Sequence, residues 1–170
     1  MFYRSVTVCI FDKMYSVKTF LAAGLVFILL SSCQSNGVFE KVTFFQKHKW
    51  EAKYQPDFQF AVTDTNALYH IYAVIRHEDA YRYNNLWVQF STQSPGDSAK
   101  KQLLNLRLAD NRRGWLGSGM DDVFDHRIRL TQAPVKLKSG IYSFKLQQAM
   151  REDPLPNILN AGVRVEKVAK

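Results

Sequence analysis

The sequence predicts an all-β protein: a single antiparallel β-sandwich, jelly-roll or immunoglobulin-like, following a cleaved lipoprotein signal peptide. Three observations carry this expectation. Apolar residues recur with a period close to 2 through most of the chain after Gly37, as half-buried strands require. Turn residues break this pattern at intervals of roughly 8–15 residues, the spacing of a sandwich rather than of alternating strands and helices. Aromatic residues make up 14% of the chain, and Phe, Tyr and Trp suit a pleated, half-buried surface.

The N-terminus is read first, because a targeting segment has to be set aside before the fold. Phe20 to Leu30 is a run of eleven apolar residues. That is too short for a membrane-spanning helix, which needs about 20, and it fits a signal-peptide core of about 7–15. Lys18 supplies the positive charge before it. Leu30-Ser31-Ser32-Cys33 then forms a lipobox. Small side chains let a peptidase reach the scissile bond, the Cys33 thiol takes a diacylglycerol group, and the freed amine can be acylated. Two or three acyl chains, palmitate among them, hold a protein stably, since each buried CH₂ contributes about 0.8 kcal/mol. Residues 1–32 are therefore expected to be removed, with Met14 as an alternative start. Residues 33–37 become a lipidated N-terminus and short polar tether, and residues 38–170 form the sandwich. No Asp follows Cys33, so the usual inner-membrane retention signal is missing. The expected place is the outer membrane, lipid-anchored and facing the periplasm.

The strands follow in order. Phe58, Phe60 and Val62 alternate with polar or small neighbours, and Asp64 and Asn66 supply a turn. Tyr69, Ile71, Ala73 and Ile75 form one face of the next strand. Asn84-Asn85 leads into Leu86, Val88 and Phe90, which alternate with Trp87 and Gln89. Ser94-Pro95-Gly96-Asp97 is a strong turn. Leu103 to Leu108 is a strand, Lys138-Ser139-Gly140 a turn, and Ile141 to Gln147 a strand. Gln147 to Glu152 is expected to form a short helical turn stopped by Pro154, before Gly162 to Glu166 closes the domain.

Composition excludes several function classes. The net charge is +8; Arg4, Lys13 and Lys18 against Asp12 give the removed segment +2, leaving +6. These charges are spread out, with Lys100-Lys101 and Arg112-Arg113 as the densest basic pairs. No run of the kind used for nucleic acid occurs, so the expected partners are the membrane and other cell-envelope proteins. Cys9 and Cys33 are the only cysteines. With one removed and one acylated, the mature domain has no thiol for a disulfide, an iron–sulfur cluster or a nucleophile. No cofactor is expected beyond the covalent lipid on Cys33.

Four constellations hold polar or aromatic chemistry. Asp121, Asp122, Asp125 and His126 could offer oxygens to Ca²⁺, but the EF-hand spacing is absent and a polar loop after Gly119 is the simpler reading. Tyr81, Tyr83, Trp87 and Trp115 could form a platform for stacking sugars, which makes a glycan- or ligand-binding envelope lipoprotein the alternative function. Gly114, Gly117 and Gly119 do not match a phosphate loop and read as positive-φ positions that let Trp115 tuck against the sandwich. His48, His70, His77 and His126 lack paired metal-ligand spacing. No metal site and no catalytic residue is assigned, and an enzyme is not expected.

Several motifs stand in a fixed order after the lipobox. They are Tyr83-Asn84-Asn85-Leu86; Gly114-Trp115-Leu116-Gly117-Ser118-Gly119; Ser139-Gly140-Ile141-Tyr142, running into Ala149-Met150-Arg151; and Gly162-Val163-Arg164-Val165-Glu166-Lys167. Together they resemble the gliding-motility lipoprotein family GldH of Bacteroidota. The resemblance implies an outer-membrane lipoprotein, a non-enzymatic accessory of the gliding machinery and, through shared genes, of type IX secretion. It implies no catalytic residues.

Overall fold

The computed structural model describes residues 37–168; Cys33 and the rest of the expected signal peptide and tether up to residue 36 lie outside them. The strands are β1 (Gly37–Phe44), β2 (Lys49–Trp50), β3 (Asp57–Val62), β4 (Leu68–Glu78), β5 (Asn85–Gln93), β6 (Lys100–Arg107), β7 (Ala109–Asp110), β8 (Gly114–Trp115), β9 (Ser118–Met120), β10 (Val123–Arg129), β11 (Val135–Lys136), β12 (Gly140–Gln148), β13 (Leu155–Pro156) and β14 (Ile158–Lys167). All pairings are antiparallel.

Two sheets contain the long strands. Sheet I runs β1-β14-β4-β10-β9, with β11 added on β4, and sheet II runs β3-β12-β5-β6. Leaving out the strands of two or three residues, eight remain: β1, β3, β4, β5, β6, β10, β12 and β14. Renumbered one to eight, they lie in the orders 1-8-3-6 and 2-7-4-5. That is the double Greek key of a jelly roll, so the strand order decides between the two sandwich types open to the sequence.

The core is the inner face of both sheets, and it follows from the alternation. In β3 the residues Phe58, Phe60 and Val62 are buried, and in β4 so are Tyr69, Ile71, Ala73 and Ile75. Leu86, Val88 and Phe90 of β5 meet Tyr142, Phe144 and Leu146 of β12. Aromatic contacts cross between the sheets: Phe39 lies 5.3 Å from Phe60, and Phe60 lies 6.4 Å from Tyr69. Each fully buried large apolar side chain contributes about 1.5–3 kcal/mol, and this core does so without a disulfide.

The turns also have local causes. The Asp64 carboxylate accepts from the backbone N–H groups of Asn66 and Ala67, an Asx turn that feeds β4. Gly96, at φ +77°, closes the turn in which the Asp97 N–H donates to the Ser94 carbonyl. The basic pair Lys100 and Lys101 sits on β6, an edge strand of sheet II, where charge discourages edge-to-edge pairing.

Two expectations need correction. Gln147 to Glu152 forms no helical turn: β12 runs on to Gln148 and residues 151–154 form a bend. The buried Gln148 amide takes over the bonding a helix would have supplied, accepting from the Met150 N–H and donating to the Glu152 carbonyl. Among the described residues the one helical segment is a 3-10 turn at Gln46–His48. The polar loop expected after Gly119 is mostly strand. Only Asp121 and Asp122 turn the chain, and β10 then enters sheet I beside β4.

Candidate functional site

The sites expected from sequence map onto three places. At one end of the sandwich, β4, the segment after it, β8 and β10 bring His77, Tyr81, Trp115, Phe124 and His126 together. His77 has the same parity as Ile75, so it points inward. Phe124 and His126 do likewise on β10, where Phe124 stands opposite His77 and His126 opposite Ile75. The two imidazoles are thus diagonal neighbours on the inner face, with ring centroids 4.9 Å apart.

Their hydrogen bonds fix the tautomers. His77 Nδ1 is 2.8 Å from the Glu78 carbonyl, which can only accept, so Nδ1 carries the proton. His77 Nε2 is then the acceptor for His126 Nε2–H at 2.9 Å. Both residues are buried, His77 at 0% and His126 at 3% exposure. Burial is the main reason both pKa values fall below the usual histidine range, with His126 lowered to about 4. His77 adds to the depression of His126, while the negative charge of Asp125 works against it.

The glycine motif seals this end. Gly114 does have positive φ, at +71°. Gly117 and Gly119 do not, which corrects the common positive-φ reading. They are glycines for lack of room: a Cβ on Gly117 would lie 2.9 Å from the His126 ring, and one on Gly119 would lie 2.6 Å from the Phe124 ring. Trp115 lies 4.4 Å from His77 and 5.7 Å from Phe124, and its Nε1–H donates to Asp79 at 2.6 Å.

The four aromatic residues singled out in the sequence do not form one platform. Tyr81 is buried at 3% exposure, and its hydroxyl donates to the Asn85 carbonyl. Tyr83 packs on Tyr81 at 5.5 Å and donates to Glu152 at 2.9 Å. Trp115 is 6.4 Å from Tyr81. Trp87 stands apart: its alternation with the buried Leu86 and Val88 sends it to the outer face of sheet II, 38% exposed.

The acidic cluster is also dispersed. Asp125 faces outward on β10 and takes a bidentate bond from Arg76 at 2.6 and 2.7 Å, while its neighbour His126 faces the core. Among the described residues, no group of three His, Cys, Asp or Glu side chains is placed to hold a metal ion. His48 bonds Glu78 at 2.6 Å and His70 bonds Thr131 at 3.0 Å, each away from the buried pair.

This folded part as a whole matches a known family. The model of the GldH lipoproteins covers residues 37–165. The chain belongs to the GldH lipoprotein family. Among curated proteins it is 27% identical over 147 residues to a "Gliding motility lipoprotein GldH homolog" of Christiangramia forsetii, covering 82% of this chain and 90% of the relative. It is 26% identical over 147 residues to the "Gliding motility lipoprotein GldH" of Flavobacterium johnsoniae, covering 82% and 91%. No solved structure matches the chain significantly.

In this GldH lipoprotein the buried imidazole pair escaped sequence reasoning because its members are 49 residues apart. A signal was present: each histidine falls in phase with the apolar residues of its strand. Replacing Trp115 by Phe is expected to keep the ring contacts but leave Asp79 without its indole donor. The expected cost is about 1 kcal/mol, read as a lower midpoint in urea unfolding; an unchanged midpoint would count against a stabilising role for this bond.

Proposed function

We propose that this GldH lipoprotein is held by acyl chains on Cys33 at the periplasmic face of the outer membrane. There it serves as a non-enzymatic accessory component of the gliding machinery and of the type IX secretion linked to it. The reading rests on the family match across residues 37–165, together with two relatives named for gliding motility. The lipobox ending at Cys33 supports the anchor, and the missing Asp after it supports the outer membrane. The non-enzymatic role is supported by what the fold does with its inward-facing titratable groups. His77 and His126 bond each other and a carbonyl under Gly117 and Trp115, and serve packing. The surface is then what the protein offers to other envelope proteins.

Gene deletion in the native host tests the role. Type IX cargo secretion and, where the host glides, colony spreading are expected to fall; normal levels of both would overturn the reading. Complementation separates the anchor from the fold. Wild-type protein should restore both traits and fractionate with membranes. Cys33→Ser should shift most of the protein to the soluble fraction, since it removes every acyl chain, and its retention in the membrane fraction would refute the anchor.

A further inference from the structure

We propose that the outer face of sheet II binds an acidic polysaccharide. A shallow cleft of about 160 Å³ lies there, lined by polar side chains of the adjacent strands β12, β5 and β6 and by Gln55 from the segment before β3. The alternation that buries Leu86, Val88 and Phe90 turns Trp87, Gln89, Ser91 and Gln93 outward on β5. On β12 it buries Tyr142, Phe144 and Leu146 and turns out Ser143, Lys145 and Gln147.

The register groups these side chains in rows. Gln147, Gln89 and Leu103 form one row, and Lys145, Ser91 and Lys101 the next. Trp87 extends the face by one more step along β5, beside Asn105 of β6. Strands lie about 4.8 Å apart, and alternate residues on one strand about 6.6–7 Å apart. Amides, a hydroxyl and an ammonium group therefore fall within reach of one or two sugar rings.

The chemistry of the lining selects the ligand class. Gln55, Gln89 and Ser91 make no side-chain hydrogen bond to another described residue, and Lys101 makes neither a hydrogen bond nor an ion pair there. Amides and hydroxyls both donate and accept, which suits the hydroxyl pairs of a sugar. The charged groups lining the cleft are Lys101 and Lys145; Lys145 is paired with Asp57 at 3.6 Å, and that carboxylate also accepts from Ser143, so Lys101 is the cation left to a ligand. That favours a sugar bearing a carboxylate. Trp87 and Leu103, 38% and 61% exposed, supply apolar surface beside the polar rows for the C–H face of a ring. Of the four aromatic residues marked in the sequence, Trp87 alone serves this site, and its partners are the β5 and β12 amides rather than other rings. The inference is independent of the accessory role, because polysaccharide binding and the deletion phenotype are read in separate assays.

The test uses the full chain purified in detergent, with alginate, dextran and polyphosphate immobilised on sensor surfaces at physiological salt. Alginate is expected to bind and dextran to bind much less. Trp87→Ala and Gln89→Ala should each weaken alginate binding about tenfold or more, without a change in net charge. Arg129→Gln removes an exposed cation from the outer face of sheet I and should change binding less than about twofold. Gln89 makes no side-chain bond to another described residue, so its variant keeps the test valid if Trp87→Ala fails to fold. The proposal is overturned if alginate does not bind or if dextran binds equally well. It is equally overturned if the Trp87 and Gln89 variants bind like wild type, or if polyphosphate and Arg129→Gln show that affinity follows net charge alone.

Discussion

Gly162→Ala is expected to destabilise the folded unit by about 3 kcal/mol, at the upper end of the usual cost of overpacking. Gly162 sits in the middle of β14, between Val42 of β1 and Val74 of β4. A methyl group at this position would run into the Lys41 carbonyl oxygen and the backbone and side chain of Val42. The obstacle is largely backbone, so it cannot swing aside as the end of a flexible side chain could. Strand β1 must move, and with it the Phe39 ring packed on Phe60 across the sandwich. A loss of this size lowers the melting temperature by about 10 °C in a domain of this length. Thermal unfolding of the purified full chain reads it, and a melting temperature within a degree or two of wild type would show that β1 yields freely.

Acidification is the second large effect. His77 and His126 are both depressed in the folded state, chiefly by burial, and His126 lies at about 4 against an ordinary value of 6.5. Between those values the unfolded chain takes up a proton that the native His126 refuses. Stability is therefore full above about pH 6.5 and declines as pH falls toward 4. At about 1.4 kcal/mol per pH unit, His126 alone accounts for roughly 3 kcal/mol at the acid end. His126→Gln can still present an N–H to His77 Nε2 but cannot titrate. Urea unfolding at pH 7.5, 6.5, 5.5 and 4.5 should show a steep decline for wild type and a clearly shallower one for the variant. Parallel curves would remove His126 as the cause. The carboxylates held low by partners, Asp64 by Lys167 and the Asn66 N–H and Glu166 by Arg164, lose their contribution at lower pH, and they do so equally in both proteins.

Much of the strand content is legible locally, because alternation is a property of consecutive residues. The faces Phe58–Phe60–Val62 and Tyr69–Ile71–Ala73–Ile75 were readable for that reason, and both are buried. Strand β10 was less legible. Its residues Asp125, Arg127 and Arg129 point outward, and two of its inward residues are only partly apolar in character or placement: His126 is polar and Ile128 is half-buried. A strand with such a thin apolar face reads as a loop. The helical turn expected before Pro154 failed for a different reason, since a single buried amide, Gln148, supplied the hydrogen bonds from outside the segment's own backbone.

The sequence by itself determined the class of fold and the family, because these depend on short-range alternation and on motifs read in order. Tertiary structure decided the jelly-roll order of the strands, the meeting of His77 with His126, and the separation of Trp87 from Tyr81, Tyr83 and Trp115. Each of those depends on which strands pair and in what register. A shift of one residue would send every side chain of a strand to the other face, and the pairing partners lie tens of residues away along the chain.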